Sequence, residues 1–177
     1  MLRYLGIDIG AESLKIAELL VNPTGGLAGA AVRHGRRLIV EHHEDPSGAI
    51  LAALAEFDWP TVAGAAATGR LGTVLNLERI PVKAAQLAGL DCLLPGLGPV
   101  TIVAIGSRGF SVLERRAGGA TVFRENNRCS QGTGNFLSQL VARLGLTVQE
   151  ASELCADVPN PAVLSGRCPV ILKTDMT

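Results

Sequence analysis

A buried strand, a glycine-punctuated turn and a returning strand occur twice in this chain, once over residues 4 to 20 and again over residues 101 to 124. In the first copy, residues 4 to 9 read as the strand, Gly10-Ala11-Glu12 as the turn and residues 13 to 20 as the return, ended by Asn22-Pro-Thr-Gly-Gly26. In the second, residues 101 to 105 pass through Gly106-Ser-Arg-Gly109 into 110 to 115, and Ala117-Gly-Gly119 leads into 121 to 124. Period-2 strands closed by such turns cannot settle as a helical bundle. They demand sheets whose apolar faces something else covers.

The helical segments supply that cover. Ser47 is predicted to cap a helix carrying Ile50, Leu51, Leu54 and Phe57 on one face. Residues 82 to 88 read as a short helix followed by a loop over 90 to 99, and residues 135 to 144 place Phe136, Leu137, Leu140, Val141 and Leu144 at helical spacing. Thr147-Val-Gln-Glu150 matches a capping box and gives the next helix an inner face of Val148, Ala151 and Leu154. Residues 28 to 32 and 37 to 40 offer a third strand interrupted by Gly35 and basic residues, and 63 to 67 a small buried one. The expected class is α/β, and no repeat of solenoid period is present.

Composition narrows function. The chain has 177 residues, 47% apolar and 18% charged, enough for one domain or two small lobes with a sizeable core. Lys plus Arg is 16 and Asp plus Glu is 16, so no basic field drives binding to nucleic acid, and 3% aromatic residues make a poor platform for stacking bases. No apolar run approaches the roughly 18 residues of a spanning helix, so the expectation is a cytoplasmic protein without a membrane role. The four cysteines, Cys92, Cys129, Cys155 and Cys168, then sit in a reducing compartment, where metal binding or plain burial outweighs a disulfide framework.

Two motifs carry chemistry. Gly6-Ile-Asp8-Ile-Gly10-x-x-Ser13 has the logic of a phosphate loop on a hairpin: a carboxylate at a strand end orders a metal-bound water, Gly10 lets backbone N–H groups approach phosphate, and Ser13 and Lys15 add donors. The same spacing also suits a bare turn. Cys129-Ser-Gln-Gly-Thr-Gly134 runs directly into the strongest helix, where the positive end of the helix dipole favours a thiolate. Cys168 recurs in Ser165-Gly-Arg-Cys168-Pro169, again beside glycine. The alternative for either is a small buried hydrophobe, the reading kept for Cys155 on the apolar side of its helix. Cys92 falls in the loop and takes no role.

In these residues the sequence resembles the ATP-dependent activators of 2-hydroxyacyl-CoA dehydratases and the ATPase subunits of benzoyl-CoA reductase. Asp8-x-Gly10, Ala67-Thr-Gly69, Cys129-x-x-Gly-Thr-Gly-x-Phe136-Leu137 and Ser165-x-x-Cys168 stand in that family's order. The resemblance implies an actin-like (RNase H-like) ATPase fold with a mixed sheet. It also implies a homodimer that holds one [4Fe-4S] cluster between its subunits, ligated by Cys129 and Cys168 from each. ATP and Mg2+ follow as cofactors, with Asp8 catalytic and Gly10, Ser13, Lys15, Gly106 and Ser107 facing the nucleotide phosphates. A ferredoxin or flavodoxin would load the cluster, and an acyl-CoA dehydratase or reductase component would receive its electron. The implied organisation is a phosphate-binding lobe over residues 1–125 and a cluster-binding helical segment over 126–177.

Two departures qualify the transfer. The family's second phosphate loop carries two carboxylates, where this chain has Ala104-Ile-Gly-Ser-Arg-Gly109, so metal binding and water activation would fall on Asp8 and Asp175. The family also continues into a second lobe with an adenosine-binding Gly-Gly segment, and the expectation here is an N-terminal part truncated before that lobe is complete. Whether it acts as an ATPase is thereby left open. The rivals are a degenerate nucleotide-binding scaffold without catalysis and a small-molecule kinase of the same fold, which would leave both cysteines without a task.

Overall fold

A computed structural model describes residues 1–23, 31–126 and 133–163, and divides into two compact units, residues 1–97 and 98–177. In the first unit β1 (Leu2–Ile9) and β2 (Ser13–Asn22) form the expected hairpin, and β3 (Ala31–Glu41) runs antiparallel beside β2. After α1 (Pro46–Ala55), β4 (Gly64–Thr68) enters parallel to β1, and the two-residue β5 (Glu78–Arg79), which sequence reading missed, extends the sheet to the order β3-β2-β1-β4-β5. Helix α2 (Val82–Leu93) ends the unit. The parallel step from β1 to β4 needs a crossover, which α1 provides.

Alternation selects the core. Leu5, Ile7 and Ile9 of β1 face Leu14 and Ile16 of β2 on one side of the sheet, and Ile50, Ala53 and Phe57 cover them. Asp8 and Lys15, paired in register, fall on the other side by the same period of two. The α1 cap is Asp45 rather than Ser47: its side chain accepts from the Gly48 N–H at 2.9 Å, and Pro46, whose fixed φ and missing N–H suit a first helical position, places the start two residues earlier. Leu51, predicted on the inner face, is 73% exposed, whereas Phe57 is buried although it lies beyond the helix end.

Strand β3 is continuous where an interruption was expected. Its register shifts opposite Ala17 to Leu19, and Gly35 sits at the shift because a Cβ there would lie 2.3 Å from the Glu18 carboxylate. Glu18 is 5% exposed and fully engaged: it accepts from the Arg36 N–H at 3.0 Å and from Arg3 Nε at 2.6 Å. Arg3 also donates to the Phe57 carbonyl at 2.9 Å and to Thr61, and the Arg36 guanidinium lies 5.1 Å over the Phe57 ring. One carboxylate thus ties β1, β2, β3 and the end of α1.

Hydrogen bonds from the Arg36 backbone and the Arg3 side chain hold the Glu18 carboxyl below the ordinary carboxylate range, against the opposing effect of burial. A depressed folded pKa stabilises the protein above the unfolded value of about 4.3, and that contribution is lost as pH falls through the folded pKa. Urea unfolding of Glu18→Gln at neutral pH should show a loss of about 2–3 kcal/mol, below the full cost of breaking a buried pair because Arg3 reaches solvent. The variant should also lose less stability than the parent below about pH 4. Parallel acid profiles would show the Glu18 network to be incidental.

The second unit holds β6 (Val100–Gly106), β7 (Gly109–Arg115) and β8 (Thr121–Asn126) as an antiparallel meander. It adds α3 (Thr133–Arg143), which packs on β6 and β7, and α4 (Val148–Cys155). The capping box at α4 forms as expected, the Thr147 hydroxyl accepting from the Glu150 N–H at 3.2 Å and the Glu150 carboxylate from the Thr147 N–H at 2.7 Å. Its anticipated inner face does not: Val148 and Leu154 are 59% and 66% exposed, and Cys155 is exposed rather than buried. Periodicity defines an apolar stripe without saying what meets it. Cys92, expected in a loop, lies on α2, which runs five residues beyond the predicted helix end at 88.

Candidate functional site

Four of the residues singled out for phosphate chemistry gather at the end of the first hairpin. Lys15 Nζ lies 3.4 Å from Asp8 Oδ2 and donates to Ser13 Oγ at 2.9 Å. Strand pairing places Asp8 opposite Lys15, and i, i+2 spacing puts Ser13 on the same side as Lys15. The Asp8 and Lys15 side chains are each nearly half exposed, so both remain available to a ligand. Gly10 closes the hairpin, its N–H donating to the Ser13 carbonyl at 2.9 Å, and a Cβ on Gly10 would stand 3.5 Å from Lys15 Nζ.

The parallel strand β4 walls the site from the side. Thr68 is the register partner of Asp8, and its Oγ1 is buried without a hydrogen-bond partner among the described residues. Gly69 follows at φ +89, where a Cβ would fall 2.3 Å from Asp8 Oδ1 and 2.5 Å from the Ile9 carbonyl. Only glycine combines that backbone angle with that proximity. The Ile9 carbonyl accepts from the Leu71 N–H at 3.0 Å, fixing the segment after β4 against the end of β1.

One contributor escaped the sequence reading. His42, between β3 and α1, is 5% exposed, with Nε2 3.3 Å from the Gly10 carbonyl and its N–H donating to the Glu12 carbonyl at 3.0 Å. The next two residues, His43 and Glu44, have φ of 44° and 69°, a left-handed pair without glycine that costs on the order of 1–3 kcal/mol per residue. A histidine in a turn carries no periodic signal, and only the fold brings it to the hairpin.

In the second unit, Gly106 ends β6 and Ser107 opens the turn to β7, with Gly106 paired to Gly109. The turn receives the start of α3. Asn135 N–H donates to the Ser107 carbonyl at 3.4 Å, and a Cβ on Gly134 would stand 2.7 Å from the Gly106 carbonyl oxygen. Ala104 and Gly109 occupy β6 and the head of β7. Cys129, Cys168 and Asp175 lie outside the described residues. Among the described residues no three His, Cys, Asp or Glu side chains cluster as metal ligands, and no helix is long and apolar enough to cross a membrane.

No family model matches the sequence. Among curated proteins it is 28% identical over 106 residues to the (R)-2-hydroxyglutaryl-CoA dehydratase activating ATPase of Acidaminococcus fermentans, which covers 57% of this chain and 40% of that protein. It is 28% identical over 68 residues to one of the benzoyl-CoA reductase subunits of Thauera aromatica, covering 38% of this chain and 24% of that one. Among solved structures, component A of the A. fermentans dehydratase superposes with a TM-score of 0.78 at 22% identity, over 99% of this chain and 66% of that chain. The chain resembles the dehydratase-activating ATPases in sequence and fold.

A second activator, that of the 2-hydroxyisocaproyl-CoA dehydratase from Clostridium difficile with bound ADPNP, superposes with a TM-score of 0.75 at 18% identity, over 98% of this chain and 64% of that chain. The likeness extends over nearly the whole of this chain, so the expected actin-like ATPase fold is the one present. This chain spans less than two thirds of each activator it matches.

Proposed function

We propose that this chain is the phosphate-binding and cluster-bearing part of an ATP-coupled electron donor to an acyl-CoA dehydratase or reductase. The observation that carries the reading is the grouping of Asp8, Ser13 and Lys15 around the Gly10 loop, in a chain whose named relatives are a dehydratase activating ATPase and a benzoyl-CoA reductase component. The residues fit a polyphosphate. Lys15 offers a compact cation, Ser13 a hydroxyl, and the glycine loop its backbone donors.

Asp8 would hold the magnesium ion, directly or through water, and Lys15 keeps that carboxylate oriented. Gly69 leaves Asp8 room that any side chain would fill. The donor set for a [4Fe-4S] cluster is Cys129 and Cys168 from each of two copies: a cubane takes four thiolates, and a two-fold axis doubles two. When bound, such a cluster supplies one low-potential electron at a time, loaded by a ferredoxin or flavodoxin. The protein would act as a homodimer for the same reason.

Ala104 and Gly109, standing where the family carries carboxylates, favour a second reading in which the nucleotide lobe is a scaffold without turnover. Anaerobic purification separates the two. The electron-donor reading expects about four irons and four sulfides per dimer and a broad absorbance near ~400 nm that bleaches with dithionite. A colourless, iron-free protein that stays so after anaerobic reconstitution would leave the scaffold.

A further inference from the structure

The turn from β3 into α1 does more than connect two elements. His42 is buried, its carbonyl accepts from the Asp45 N–H at 2.7 Å, and the left-handed pair His43 and Glu44 holds the ring against the first hairpin. A carbonyl only accepts, so the 3.3 Å contact to Gly10 makes Nε2 the protonated ring nitrogen. Nδ1 is then a buried acceptor with no donor among the described residues.

The consequence lies in the peptide planes. In a trans peptide the carbonyl and the following N–H point in opposite directions. With the Gly10 and Glu12 carbonyls turned onto His42, the N–H groups of Ala11 and Ser13 are aimed away from it. An ordinary two-residue hairpin would make two bonds between Gly10 and Ser13. Here the Gly10 N–H reaches the Ser13 carbonyl at 2.9 Å, while the Gly10 carbonyl, which would accept from Ser13, is engaged by the imidazole. Neither Ala11 nor Glu12 adopts the positive φ that the tight hairpin turns require.

We propose that His42 is a positioning residue for the phosphate loop: by capturing the Gly10 carbonyl it keeps the loop from closing on itself and leaves the Ala11 and Ser13 N–H groups to donate to a phosphoryl oxygen. The inference rests on the phosphate-site reading above. Lys15, whose Nζ is 2.9 Å from Ser13 Oγ, places its charge beside those donors. Without the imidazole, the Gly10 carbonyl is released to the Ser13 N–H and the donor is lost to the hairpin.

The test uses the 177-residue chain, labelled with 15N and titrated with sodium tripolyphosphate. In the parent, the ring nitrogen shifts should report the Nε2–H tautomer, the Ser13 amide should exchange rapidly, and tripolyphosphate should move the Ala11 and Ser13 resonances. His42→Leu should slow Ser13 exchange and weaken tripolyphosphate binding about tenfold or more, the loss of one charge-assisted hydrogen bond. His42→Gln, which restores a donor at similar reach, should recover binding to within about threefold, a rescue that a purely structural role would not give. An Nδ1–H ring in the parent, or Ser13 exchange unchanged in His42→Leu, overturns the proposal whether or not phosphate binds; the parent arm decides even if that variant does not fold. The expected tautomer and Ser13 exchange with no tripolyphosphate binding overturns the phosphate reading instead, and with it the role given to His42.

Discussion

Replacing either Cys129 or Cys168 by serine should abolish the iron-sulfur absorbance expected near ~400 nm, because in the proposed two-fold ligation the loss of one thiolate from each of two copies would remove two of four covalent anchors. The effect should be all or nothing. A serine oxygen is a far poorer iron ligand than sulfur, and a cluster bound by both subunits is lost together with the assembly it supports. Cys92→Ser and Cys155→Ser provide the controls. Both cysteines are exposed on helices, Cys92 on α2 and Cys155 at the end of α4, and their replacement should leave iron content and spectrum unchanged. A full cluster in both the Cys129 and Cys168 variants would remove these residues from the ligand set. A four-iron cluster in a monomer would remove the two-fold arrangement.

The second large effect is expected at Asp8. Asp8→Asn should lower magnesium-dependent phosphate release by about a hundredfold or more. On the proposed reading it removes the carboxylate that would hold the magnesium ion beside the phosphate oxygens. The substitution is isosteric and the side chain is 41% exposed, so the fold should survive it. Lys15, freed of its partner at 3.4 Å, would remain to attract phosphate, and nucleotide binding should fall less than turnover. Ala104→Asp restores one of the family's missing carboxylates and should leave phosphate release unchanged or raise it. Steady-state phosphate assays decide both. Turnover undiminished in Asp8→Asn would reduce the first hairpin to a turn and favour the scaffold.

Much of the architecture was legible because local chemistry and global fold agree. The alternation of Leu5, Ile7 and Ile9 against Asp8 marks both a buried strand and a carboxylate on its opposite side, and the same alternation in β2 carries Ser13 and Lys15 to that side. Hairpin pairing is local, so Asp8, Gly10, Ser13 and Lys15 could be read as one group before any tertiary contact was known. The capping box at Thr147 and Glu150 is likewise written within four residues.

What lay beyond the sequence depends on contacts between distant segments. The Asp45 cap displaced Ser47 because a proline's geometry and one side-chain bond outweighed a residue preference. Gly35 reads as a break in a strand by residue type alone, but the Glu18 carboxylate, held by Arg3 and Arg36, occupies the space a side chain would need there. Leu51, and the stripe of Val148 and Leu154, have the spacing of an inner face, yet an apolar side chain is buried only where another surface meets it, and that is decided by the packing of whole elements. Gly69 and His42 belong to the site for the same reason. The parallel crossover brings Gly69 against Asp8, and the β3 to α1 turn brings His42 under Gly10, pairings that no spacing within either segment encodes.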